Sequence, residues 1–240
     1  MIWYWVRLWL GAGLLLSLVL VFFRTPDFWR AYFFKDAELV QLPGLPIYVS
    51  PQMPAEERGR LVAHYQVARR RVEQLWGGIE AAPVLVVAAT ARGRHSVFAP
   101  HAATTYISPL GTYILLQING YNPDVLAHEL CHAELAQRVG WRKRKQQIPT
   151  WFDEGLAMLL DERFPDWYDE LSLMSQGHMP DLEALATEEQ FFGGDQVLFH
   201  YFVAKKIVLD WYLLHKKEGL LRFVKQIRDG ERFDAVFAQP

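Results

Sequence analysis

Two histidines at helical spacing, with an acid beside the first, form the most distinctive chemical pattern in the chain. Residues 128–132 read HELCH, an H-E-x-x-H motif. Residues four apart on an α-helix lie on one face, so His128 and His132 can reach the same cation. Two imidazoles so placed are typical ligands of Zn²⁺, and Glu129 lies where it can accept a proton from a water molecule. The pattern therefore predicts metal-assisted hydrolysis.

The residues that flank this motif predict a helix over 123–139. Asn122 is a favourable N-cap, Pro123 suits the first helical position, and Asp124 places a negative charge in the first turn. Gly140 is a fitting residue to end the helix. We therefore expect both histidines to lie in the middle of a well-specified helix.

A site with two histidines needs a third protein ligand, and Glu154 is the candidate. It follows His132 by 22 residues, which leaves room for the first helix to end and a second helix to return antiparallel. Between them we expect a basic loop at 142–145, either solvated near the end of the first helix or in contact with anionic lipid.

The second helix has its own sequence signals. Thr150 is the expected N-cap, and Asp153, three residues later, is expected to complete a capping box. Gly155 has no side chain and would allow a close approach to a neighbouring element. These signals place Glu154 in the first turn of that helix.

These motifs resemble the gluzincin metallopeptidases, in which H-E-x-x-H on one helix is completed by a glutamate on the next. The zinc aminopeptidase-like branch carries a W-x-x-E-G-x-A signature, which residues 151–157 match at every fixed position. The resemblance implies Zn²⁺ bound by His128, His132 and Glu154, with Glu129 as the general base. However, the gap before the glutamate is longer than in the aminopeptidases, and the G-x-M-E-N motif is missing. A membrane-anchored branch of the superfamily therefore fits better than an exopeptidase.

The resemblance also implies a tyrosine or histidine that stabilises the oxyanion of the tetrahedral intermediate. Tyr201 fits, because it lies early on a helix that begins near Asp195 and precedes a Leu-rich segment and Gly219. His200 is the alternative. A third interpretation stays open, in which Tyr201 packs in the core with its hydroxyl satisfied.

The sequence gives less support for placing other residues at the metal site. Cys131 is interpreted as a small buried thiol rather than a fourth ligand. Glu134 and Asp161 are candidate hydrogen-bond acceptors for the ligand imidazoles. The other histidines have no partner at ligand spacing and are interpreted as structural or exposed: His64, His95, His101, His178 and His215.

The first 23 residues are much more apolar than the rest. Residues 8–23 contain no charge, and with residues 2–6 they approach the ~20 residues that a helix needs to cross a bilayer. No small-x-small cleavage site follows, so we expect residues 1–23 to be an uncleaved transmembrane signal anchor rather than a signal peptide. Residues 24–46 are expected to form an interfacial tether.

The resemblance implies a single-pass protein of the bacterial inner membrane, and it favours the periplasmic side for the domain. The basic residues after the span favour the cytoplasmic side instead: Arg24, Arg30 and Lys35. Both orientations stay open.

Composition and pattern together predict the fold class. The 25 Lys and Arg against 27 Asp and Glu give a net charge of −2, which argues against a nucleic-acid binder.

A helix after Pro54 is predicted by an apolar stripe, with the Arg69–Arg71 run on its solvated face. Short β-type runs follow, and helices continue to the end. We expect an α+β fold over 47–240, in which a small mixed sheet precedes a helical zincin-type half. The predicted strands are Ile47–Ser50, Val84–Ala88, Ser96–Phe98, Thr104–Ile107 and Thr112–Ile118.

The sequence thus predicts a membrane-anchored zinc peptidase that acts on a peptide or protein substrate. A different class of protein shares the same motifs, namely a membrane-tethered scaffold that keeps the fold and cleaves nothing. A zinc hydrolase that acts on another substrate also fits. The sequence does not indicate an oligomeric state.

Overall fold

A small sheet followed by a mostly helical half forms the described chain. The computed structural model describes residue 9 and residues 26–88, 103–117 and 120–239. The strands are β1 (Val40–Gln41), β2 (Ile47–Val49), β3 (Val84–Ala88), β4 (Ala103–Ser108) and β5 (Gly111–Gln117). The helices are α1 (Pro26–Glu38), α2 (Ala55–Trp76), α3 (Pro123–Val139), α4 (Trp141–Gln147), α5 (Thr150–Met158), α6 (Trp167–Ser175), α7 (Glu188–Phe192), α8 (Val197–Asp229) and α9 (Phe233–Phe237). This order confirms the predicted α+β class.

The five described strands form one mixed sheet in the order β1-β2-β3-β5-β4. The β2–β3 and β3–β5 pairs are parallel, whereas β1–β2 and β4–β5 are antiparallel. Side chains alternate between the two faces of a strand. Leu85 and Val87 therefore join the main core, whereas Val86 faces the other side with Tyr113 and Leu115.

Helix α1 covers this second face of the sheet. Its residue Ala31 is buried against the cluster formed by Val86, Tyr113 and Leu115. Strand β1 follows and pairs with β2. The segment expected as an interfacial tether, 24–46, is therefore largely helix and strand in its described part, and the sheet begins before residue 47.

Helix α2 packs on the main core through the predicted apolar stripe: Leu61, Tyr65, Ala68, Val72 and Leu75 are all buried. One residue of the predicted solvated face behaves differently. The Arg71 guanidinium lies 2.6 Å from Asp124 Oδ1 and 2.9 Å from Glu162 Oε2, so it ties α2 to the start of α3. Arg69 instead pairs with Glu73 along the exposed surface of the helix.

Two predicted elements lie outside the described residues. They are the strand at 96–98 and, apart from Trp9, the transmembrane anchor at 1–23. Within the described ranges, no helix combines the length and the apolar character needed to span a bilayer.

Candidate metal centre

Helix α3 presents the two histidines as the flanking residues predict. The Asn122 side chain accepts a 2.9 Å hydrogen bond from the Val125 amide, and Gly140 ends the helix with a positive φ of 88°. Both imidazoles are buried, and their ring centroids lie 4.8 Å apart. The spacing of four residues therefore does bring them to one face of the helix.

Helix α5 brings Glu154 to these imidazoles. Gly155 makes this possible, because a Cβ atom there would lie 2.7 Å from the Ala204 carbonyl carbon of α8 and closer still to its oxygen. The capping-box prediction is wrong. The N-cap is Pro149, without a side-chain hydrogen bond, and Asp153 is engaged elsewhere.

The three side chains have a geometry suited to one metal ion. Glu154 Oε2 lies 3.2 Å from His128 Nε2 and 3.6 Å from His132 Nε2. Adjacent donors around a tetrahedral zinc ion, at bond lengths of about 2.0–2.1 Å, are separated by about 3.3 Å. One ligand atom from each residue lies within 4.8 Å of the other two, and all three residues are buried. The donor set therefore fits a divalent metal ion.

Electrostatics within the cluster favour the ionised carboxylate. Burial raises the pKa of the Glu154 carboxyl, but the adjacent imidazoles of His132 and His128 outweigh burial and hold this pKa well below its usual range. Burial lowers the pKa of His132, but the charges of Glu154 and Asp153 outweigh it and hold this pKa well above its usual value. The two acids thus favour a positive charge at this imidazole, and a metal cation bound there would replace the imidazole proton.

Asp153 supports one of the ligand imidazoles. Its Oδ1 atom accepts a 2.6 Å hydrogen bond from His132 Nδ1, which leaves Nε2 as the free ligand atom. Its Oδ2 atom lies 2.5 Å from the Arg144 guanidinium. This role is not predicted by the sequence, because Asp153 also stands at the capping-box position. Its place beside Glu154 was the signal available in the sequence.

The other ligand imidazole has a looser arrangement. His128 Nδ1 is buried without a hydrogen-bond partner, and Asp161 Oδ2 lies 3.8 Å away. Asp161 is fully buried and binds Arg163 at 2.5 Å, which outweighs the effect of burial and lowers the pKa of Asp161. Asp161 therefore lies beside the predicted imidazole at a distance too long for a hydrogen bond.

Glu134 does not contact the ligand imidazoles, contrary to the prediction. Its carboxylate accepts hydrogen bonds from the amides of Glu80 and Ala81 and binds Arg138 at 2.7 Å. It connects α3 to the segment before β3. The side chain is fully buried, and these donors compensate the cost of removing its carboxylate from water.

Glu129 is held by the sheet. The Thr105 hydroxyl, on β4, donates a 2.5 Å hydrogen bond to Glu129 Oε2. Glu129 is buried, with 9 % of the residue exposed, and it directly follows His128 in the chain. Nothing in the sequence pointed to Thr105, because a contact between a strand and a helix follows no spacing rule.

The structure separates the two candidates for an oxyanion donor. The Tyr201 ring lies 6.2 Å from the His128 ring, and burial followed by the charge of Glu154 raises the pKa of its phenol. His200 Nδ1 instead donates a 2.6 Å hydrogen bond to the backbone oxygen of Phe191. Tyr201 is therefore the candidate that lies beside the metal ligands.

None of the remaining described candidates belongs to the cluster of His128, His132 and Glu154. Cys131 is a buried thiol, as predicted, and burial raises its pKa. His64 packs near Tyr121, and His215 stacks on Trp211. His178 is exposed, whereas His95 and His101 lie outside the described residues.

The predicted basic loop at 142–145 is helical and forms part of α4. Arg144 on this helix supports Asp153, as described above.

No protein-family model matches the chain, and no curated protein matches it significantly. The chemistry of the site is therefore inferred from its own residues.

Proposed function

We propose that the protein is a zinc-dependent peptidase of gluzincin type. The observation that carries this proposal is the convergence of His128, His132 and Glu154, with a buried and oriented Glu129 beside them. Zinc held by these residues would supply a Lewis acid that polarises the scissile carbonyl and lowers the pKa of the attacking water. A purely structural metal site would have no need for the additional carboxylate of Glu129.

The protein residues have separate roles in the proposed reaction. Glu129 accepts a proton from the attacking water and delivers it to the nitrogen of the leaving amine. Thr105 holds one oxygen of that carboxylate, and no other described residue hydrogen-bonds to the second oxygen. Tyr201 donates a hydrogen bond to the oxyanion, and its raised pKa keeps the phenol protonated for this purpose.

The edge of the sheet offers a place where an extended peptide substrate could bind. Within the described ranges β4 is an outer strand of the sheet, and it carries the residue that contacts Glu129. A peptide in extended conformation can pair with such a strand through its main chain.

As part of the same proposal, residues 1–23 anchor the protein in the bacterial cell membrane. The domain then lies on the periplasmic or the cytoplasmic side.

The central experiment measures bound metal and proteolysis together. The full-length chain is purified in mild detergent, because its first 23 residues are apolar. We expect about one zinc ion per chain, lost in His128→Ala and Glu154→Ala but retained in Glu129→Gln. Casein cleavage should be lost in all three variants. Unchanged zinc in the two ligand variants would contradict the proposal. Absence of casein cleavage in both wild type and Glu129→Gln would favour the scaffold.

A further inference from the structure

The basic run on α4 is divided between two environments. Arg142 and Lys145 are exposed, whereas Lys143 donates to a backbone carbonyl near the end of α8. Arg144 turns towards the metal centre, and only 23 % of its side chain is exposed. If the run were only a solvated basic surface, its neighbouring side chains would not differ in exposure and partners in this way.

Arg144 reaches a metal ligand through one intermediate residue. Its guanidinium lies 2.5 Å from Asp153 Oδ2, and Asp153 Oδ1 accepts the 2.6 Å hydrogen bond from His132. Each oxygen of Asp153 thus has one of these two partners. With 9 % of its side chain exposed, this carboxylate has little access to water as a substitute.

Removing the arginine would leave a buried carboxylate with one partner. An ionised group in that state is costly, so the side chain would rotate towards another donor or towards the cation. Either movement would disturb the hydrogen bond that orients His132. Residues that orient ligands in this way strongly affect metal affinity.

We propose that Arg144 is a positioning residue that sets the zinc affinity of the centre by acting through Asp153. This inference rests on the proposed metal centre but does not require peptidase activity. A competing explanation is that Arg144 only ties α4 to α5. In that case its loss would lower the stability of the fold without a specific effect on metal binding.

A double-mutant cycle separates these explanations. Zinc affinity of the full-length chain is measured by competition with a chromophoric chelator, and thermal unfolding of the metal-free variants checks their folding. Arg144→Met should weaken zinc binding by about 10- to 100-fold, and Arg144→Lys should recover part of it. Arg142→Met, an equal change at an exposed position of the same helix, should have no effect.

Asp153→Asn supplies the second side of the cycle. If Arg144 acts through Asp153, adding Arg144→Met to Asp153→Asn should weaken zinc binding no further. Unchanged affinity in Arg144→Met, or a full additional loss in the double variant, would overturn the inference. Should Arg144→Met fail to fold, Arg144→Gln completes the same cycle. A wild-type chain that binds no zinc refutes the metal centre itself, which distinguishes that failure from this one.

Discussion

The Thr105 hydroxyl donates a 2.5 Å hydrogen bond to Glu129 Oε2, and this contact joins the sheet to the helix of the metal ligands. Glu129 extends from α3, whereas Thr105 lies on β4. Among the described residues only this one carboxylate oxygen has a hydrogen-bond partner, so the other can contact a water molecule. The sheet thus orients the proposed base from outside its own helix.

Thr105→Val should lower kcat for peptide hydrolysis by about 10- to 100-fold, because a small displacement of a catalytic group costs that much. Zinc content should not change, since no metal ligand is touched. Thr105→Ser retains the hydroxyl and should restore most of the rate. Thr104→Val is the control, because adjacent strand residues face opposite sides. A fully active Thr105→Val enzyme would show that the base needs no support from the sheet.

Gly155→Ala should destabilise the fold by about 1–3 kcal/mol through overpacking. The added Cβ would meet backbone atoms of Ala204, which cannot rotate away. We also expect weaker zinc binding, because Glu154 is the preceding residue. Gly59 is the control, since its Cβ would meet nothing within 4 Å and it lies in α2. Gly59→Ala should stabilise the protein by about 0.5–1 kcal/mol, and urea unfolding measures both effects.

Tyr201→Phe should reduce kcat by about 100- to 1,000-fold, the usual effect of losing an oxyanion donor. KM and zinc content should change little, because the ring and the metal ligands remain. His200→Gln should retain near wild-type kcat, since His200 binds a backbone carbonyl of α7 rather than the centre. The reverse result, with the large loss in His200→Gln, would transfer the role to the histidine.

Cys131 should resist alkylation in the folded protein. The residue is 1 % exposed, and burial raises the pKa of its thiol. Because alkylation needs the thiolate and access to the reagent, labelling of the folded protein should stay far slower than that of an exposed thiol of pKa about 8.5 at every pH from 7 to 9. Labelling with iodoacetamide, followed by mass spectrometry, tests this, and urea should expose the thiol. Native protein that is labelled as fast as the urea-unfolded chain would place the thiol in contact with solvent.

Local signals predicted local structure well. The cap at Asn122 and the glycine after α3 are confirmed, as is the packed stripe of α2. Each depends on residues within one or two turns of each other. Glu154 was found through its spacing and signature, and its helix does return to the histidines.

The supporting contacts were less predictable because they join distant segments. Thr105 and Glu129 are brought together by the packing of a strand on a helix. Asp153 fitted a local capping rule, but the tertiary contact with His132 overrides it. Glu134 was misassigned although Arg138, four residues later on the same helix, was a local partner available in the sequence.

The two acids at the start of α5 face different ring nitrogens of His132. Asp153 binds Nδ1, and Glu154 lies 3.6 Å from Nε2. Consecutive helical residues differ in direction by about 100°, so a shift of α5 by one residue would bring Asp153 to the position of Glu154 and Glu154 to that of Gly155. Such a shift would also carry Gly155 away from Ala204, where a side chain cannot fit. Steric exclusion at Gly155, which takes no part in the proposed chemistry, therefore decides which of two adjacent carboxylates faces the candidate metal ligands His128 and His132.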